Sequence, residues 1–174
     1  MMTGISRVLA GFLIPCCAVL VYASQAPNSD FERELTAGKL AAEQGNYEAA
    51  TAHFKSANQL RQQKCSACYV WLARFDMAGG KLDQALAETE DAVVSATTAQ
   101  EQASAQLYRG LALGRQGNFA EAEAAFKAAS AANPECLECR FNLGFVLLKE
   151  SKDAEGVRVL KILVPRIYGH AQRP

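Results

Sequence analysis

The chain has no charge imbalance: its 18 Lys+Arg match its 18 Asp+Glu, and the formal net charge is +0. Nucleic acid and polybasic membrane surfaces need a basic excess, so neither is an expected partner. Runs of alternating β-branched residues are missing too, which argues against a mixed sheet. Aromatic residues are few, 8%, although 50% of the chain is hydrophobic. Alanine fills the difference in the middle of the chain, and strong helix formers with small packing surfaces suit an all-α fold. The two histidines, His53 and His170, stand apart from any nucleophile–acid set. They read as a surface helix residue and a tail residue. No enzyme and no cofactor are expected.

Residues 1–26 are of another kind. Arg7 precedes an apolar run from Val8 to Ala23, without an acidic residue, and Ala23, Ser24 and Ala26 close it with small side chains. That order reads as a secretory signal peptide, cleaved after Ala26 or Ala23. The alternative is an uncleaved membrane anchor, since the run approaches spanning length; Pro15 and the small-residue exit favour cleavage. The expected location is periplasmic or secreted, with any membrane contact confined to this segment. Cleavage leaves a net charge of −1 and removes Cys16 and Cys17. Residues 27–30 form a linker.

The rest of the chain repeats itself. Gly45-Asn46-Tyr47-Glu48-Ala49-Ala50 returns as Gly80-Lys81-Leu82-Asp83-Gln84-Ala85 and as Gly117-Asn118-Phe119-Ala120-Glu121-Ala122. Each phrase joins two apolar helical stretches. A period of this size means stacked helical hairpins, because one hairpin cannot bury its apolar face alone.

From Phe31 onward the chain resembles the tetratricopeptide repeat family, whose unit of about 34 residues folds as antiparallel helices A and B. Ala37-Gly38, Gly45, Tyr47, Ala50, Phe54 and Ala57 carry the first repeat; Tyr69, Leu72-Ala73, Gly80, Leu82, Ala85 and Ala92 the second. Gly110, Leu113, Gly117, Phe119, Ala122, Phe126, Ala129 and Pro134 carry the third. In a degenerate fourth, Leu143-Gly144 and Leu147 hold, but Ser151 replaces the turn glycine and Gly156 the helix-B alanine. Arg109 and Thr89 also depart from the pattern. The resemblance implies a right-handed α-solenoid of about four hairpins over residues 31–164. Helices are expected over 31–44/47–60, 66–79/82–95, 103–116/119–132 and 137–150/153–164. Tyr47 and Phe119 would plug each hairpin, Phe54 and Phe126 the gap to the next. The polar stretch Ser95–Ser104 is the expected place for a longer loop.

The same resemblance implies a concave surface lined by the second, fifth, ninth, twelfth and thirteenth positions of helices A. On this chain those are Lys39, then Val70, Arg74 and Met77, then Leu107, Leu111 and Arg115, and last Phe141, Phe145, Leu148 and Lys149. Such an apolar groove with four cations suits a protein or peptide segment with apolar anchors and some carboxylates. Leu35, Lys39 and Val70 occupy places where carboxylate-clamp domains need other residues, which disfavours chaperone-tail binding. Packing between helices is the alternative role for each of these side chains.

Two CxxC pairs, Cys65/Cys68 and Cys136/Cys139, straddle the starts of helices A in repeats 2 and 4. Two repeats of separation, at roughly 8–10 Å per helix step, is too far for one zinc. Tyr69 and Arg140 stand where haem attachment needs histidine. A local disulfide, a redox dithiol and free thiols remain open. Residues i and i+3 of a helix have Cβ atoms about 5–6 Å apart, so a disulfide would require a tightened first turn. Lys64–Tyr69, behind a signal peptide, resembles repeat regions preceding a thioredoxin-fold domain in some bacterial exported proteins. That implies a redox neighbourhood, and an accessory thiol–disulfide protein is the alternative function.

The final helix, Gly156–Val164, is apolar on nearly every side, and Pro165 is expected to end it before an unstructured tail, 165–174. A helix of that kind needs cover. Val157, Leu160, Ile162, Leu163 and Val164 are therefore expected to meet another subunit, a partner or a further domain.

Overall fold

A computed structural model describes the backbone of residues 29–168 and the side chains of 29–161. The signal segment, the first half of the linker, His170 and the side chains of Ile162, Leu163 and Val164 lie outside the described residues.

The described residues form eight α-helices: α1 Asp30–Glu43, α2 Tyr47–Leu60, α3 Ser66–Ala78, α4 Leu82–Ser95, α5 Ala99–Gln116, α6 Phe119–Ala132, α7 Leu137–Lys149 and α8 Asp153–Tyr168. Consecutive helices pair as hairpins. α3 also touches α5, and α5 touches α7, while α1 lies beside α3 across a cleft, so the odd-numbered helices form one row. This is the expected all-α right-handed solenoid of four hairpins. No described helix is long and apolar enough to cross a membrane.

The turns follow from backbone chemistry. Gly45, Gly80 and Gly117 take φ of 75°, 75° and 85°, a left-handed conformation that glycine reaches without a Cβ penalty. Ser151 keeps the same geometry in the fourth turn at φ 61°, so the degenerate repeat retains the shape and accepts the strain.

Between helices of a hairpin, small residues let a large side chain of the paired helix come close. A Cβ on Gly110 would stand 2.6 Å from the ring of Phe126, and one on Gly38 would stand 2.9 Å from Phe54. Both rings are buried, at 0% exposure for Phe54 and 2% for Phe126. Phe54 also stacks on Trp71 of the next hairpin, with ring centroids 5.3 Å apart. In the last hairpin Gly156 is no mere departure from the pattern: a Cβ there would lie 3.0 Å from the carbonyl of Gly144, which itself lies against Leu160.

Four expectations change. No long loop separates repeats 2 and 3, because α5 begins a turn early, at Ala99. Thr98 and Glu101 form a capping box: Thr98 Oγ1 accepts from the Glu101 N–H at 3.1 Å and Glu101 Oε2 accepts from the Thr98 N–H at 3.1 Å. Tyr47 does not plug its hairpin; it is 59% exposed and packs against Phe75 of the next one. Leu160 is only partly exposed, since it packs against Gly144. Finally, α8 continues through Pro165 to Tyr168. Proline withholds one N–H from the ladder, a loss confined here to the last turn.

Candidate protein-binding groove

The row of helices α1, α3, α5 and α7 presents two clefts. One, of ≈ 360 Å³, lies between hairpins 1 and 2 and is lined by Ala42, Glu43, Tyr47, Trp71, Arg74, Phe75 and Ala78. Its rings form a group: Tyr47–Phe75 centroids are 5.4 Å apart and Trp71–Phe75 6.0 Å. The other, of ≈ 170 Å³, lies between hairpins 3 and 4, where Leu111, Gly114, Arg115 and Phe119 face Asn142 and Phe145.

The expected groove residues divide sharply. Lys39, Arg74, Arg115, Phe141, Phe145 and Lys149 are exposed and Leu111 is half-buried. Val70, Met77 and Leu107 are each only 6% exposed and belong to the core, so they do not line the groove. The reason is positional. The fifth and twelfth residues of one helix A are covered by the next: Val70 clusters with Ala105, and Met77 with Ala112.

Two of the cations are held by the protein. The Arg74 guanidinium lies 4.0 Å above the Trp71 ring and 5.4 Å from the Tyr108 ring, which fixes its position while leaving an edge open to solvent. Arg115 Nη1 donates at 3.0 Å to the Met77 carbonyl near the end of α3, which also accepts the Gly80 N–H at 3.3 Å. Lys149 sits 5.3 Å from the Phe145 ring.

The aromatic cleft was not foreseen as part of the surface. Its signal lay in Trp71 and Phe75, which share one face of α3 at i, i+4 spacing, and in Tyr47 at the start of α2.

Away from these clefts, Glu88 of α4 is half-buried beside Asp76 of α3 and Lys55 of α2. Burial, and secondarily the nearby Asp76 carboxyl, push it up to about 7. In the other half, Glu123 of α6 bonds the ammonium of Lys127 and, at 2.6 Å, that of Lys152 ahead of α8. Those bonds pull Glu123 down to about 2.

Both cysteine pairs are bonded, Cys65 to Cys68 and Cys136 to Cys139. The first turn does not tighten to allow it. Cys65 and Cys136 are N-cap residues outside the helix, at ψ 88° and ψ 94°, and this brings the Cα atoms to 5.2 and 5.3 Å. Each N-cap sulfur also accepts the N–H of its partner cysteine at 3.1 Å, in the manner of a capping hydroxyl. Cys65, Cys68 and Cys139 are at most 6% exposed while Cys136 is half-buried. Such hidden sulfurs do not favour the redox alternative.

The fold defines a helical-repeat scaffold of the kind that binds other proteins. The chain belongs to the tetratricopeptide repeat family, whose pattern matches residues 71–129 and again 107–167. No curated protein sequence matches significantly. Among solved structures, MamA is similar at 18% identity with a TM-score of 0.70, over 90% of this chain and 89% of that one. A tetratricopeptide repeat protein from Parabacteroides merdae is similar at 18% identity and TM-score 0.64. That match covers 77% of this chain and 52% of that one, so the chain spans about half its length. These likenesses concern the fold.

Proposed function

We propose that this chain is an exported, non-enzymatic interaction scaffold. Its inner face binds a peptide or protein segment carrying aromatic or aliphatic anchors and interspersed carboxylates. The pair of clefts on the odd-helix row carries this reading: each offers apolar walls with an arginine edge beside them. Alternating apolar pockets and cations suit a segment that lies across the row and inserts one anchor per cleft. Lys39 and Lys149 add positive charge at the row's two ends.

Export is supported by the N-terminal apolar run and by bonded cysteine pairs, which persist in oxidising compartments. Fusion of residues 1–26 to a reporter active only outside the cytoplasm should give signal, and a silent fusion would refute export.

Binding is tested with a display library of random peptides selected on the purified protein, followed by anisotropy on synthetic winners. Winners should be rich in aromatic and acidic residues. Tyr47→Ala and Phe145→Ala, both at exposed side chains, should each weaken binding about tenfold while melting stays unchanged. Winners insensitive to both variants would overturn the groove assignment.

A further inference from the structure

Among the described residues, the two ends of the row are unfilled halves of the same internal contact. Inside the array, the fifth residue of one odd helix meets the third of the next, and the twelfth meets the tenth. Val70 with Ala105 and Met77 with Ala112 are examples. At the last hairpin the donor side of that contact stands open. Phe141, in the place of Val70 and Leu107, is 55% exposed where those are 6%. Leu148, in the place of Met77, is 37% exposed where Met77 is 6%. On α8, Val157 is 42% exposed, whereas Glu123 at the matching place of α6 is 8%.

The receiving side is open on α1. Leu40 is at the tenth position and 53% exposed, while Ala112 and Val146 at that position are 0% and 3%. Arg33, exposed, is at the third position, where Cys68, Ala105 and Cys139 are 0%. Charge matches as well. The thirteenth residue is Lys149 on α7 and Glu43 on α1, both exposed.

We infer that this chain associates head to tail with a second copy, α7 of one molecule receiving α1 of the next in the register already used between α3 and α5. Leu148 then covers Leu40, the Phe141 ring takes the Arg33 guanidinium, and Lys149 lies beside Glu43. Apolar contact supplies the attraction, while the ring–cation and ion pairs set the register. The contact is heterologous, so it propagates rather than closing after two copies.

Sedimentation velocity on the purified protein tests this, with a dilution series and melting curves for every variant. The average sedimentation coefficient should rise with concentration. Leu40→Glu and Leu148→Glu should each remain monomeric alone, yet together form a one-to-one dimer that grows no further, because each keeps one intact end. Glu43→Lys and Lys149→Glu should each weaken association about tenfold or more, with the double variant restored. The charge-reversal pair reads the same two ends should a leucine variant fail to fold. A monomer at all concentrations overturns the inference. So does association blocked by Leu148→Glu but not by Leu40→Glu, which would mean that the α7 end pairs with itself or with chain outside residues 29–161.

Discussion

Arg115 on α5 donates to the carbonyl of Met77, the next-to-last residue of α3, across 3.0 Å and 38 positions of sequence. One side chain thus ties α5 to the end of a helix in the preceding repeat while also lining the cleft beside Phe145. Arg115→Ala should cost about 1 kcal/mol of stability, because the lost bond is only partly shielded from water. Arg74→Ala loses ring contacts but no hydrogen bond of this kind, so the smaller shift in urea midpoint should be its own.

Packing at Gly110 allows a sharper test. Gly110→Ala would place a methyl group 2.6 Å from the Phe126 ring, forcing the hairpin apart at a cost of about 1–3 kcal/mol. Phe126→Leu frees space at the same point. In a double-mutant cycle the two changes should cost less together than separately summed; strict additivity would show that they do not touch.

Two carboxylates should pull the pH dependence of stability in opposite directions. Glu88 is raised from 4.5 to about 7 by burial and Asp76. The folded state therefore keeps a proton that the unfolded chain releases, and this contribution, full below pH 4.5, fades as pH rises through 7. Glu123 is lowered to about 2 by its lysine partners. Its contribution is full above pH 4.5 and is lost as pH falls towards 2. Glu88→Gln should flatten the decline on the neutral side, and Glu123→Gln the decline on the acid side, in melting temperatures recorded from pH 2 to 8.

The cysteine bridges should differ under reductant. Cys136 is half-buried, whereas both members of the other pair are at most 6% exposed. A dithiol reaches a sulfur only through solvent, so alkylation followed by mass spectrometry should find the Cys136–Cys139 pair opening first. Replacing both cysteines of either pair with serine should lower stability by about 2 kcal/mol or less, the scale of a very short loop. A serine at the N-cap still accepts the helix N–H and softens the loss.

The repeat was legible because it is local. Glycine at the turn, small residues opposite an aromatic, and a helical period each report on one hairpin. Together they place seven of the eight helix starts within a residue, α5 being the exception. The Thr98/Glu101 capping box that moves α5 was also written in the chain, as Thr-x-x-Glu.

Burial is another matter. Val70, Met77 and Phe141 are all apolar and all sit where the family lines its groove, but only Phe141 is open to solvent. What covers Val70 and Met77 is α5, tens of residues further along, and no local pattern states how closely one helix lies on the next. The cleft of Tyr47, Trp71 and Phe75 arises in the same way, from two hairpins whose separation is set by the stacking of Phe54 on Trp71. The amino-acid sequence by itself determined the hairpin and its repetition, since each is secured by contacts a few residues apart. Which side chains remain for a partner was decided only by tertiary structure, because exposure depends on neighbours brought together by packing.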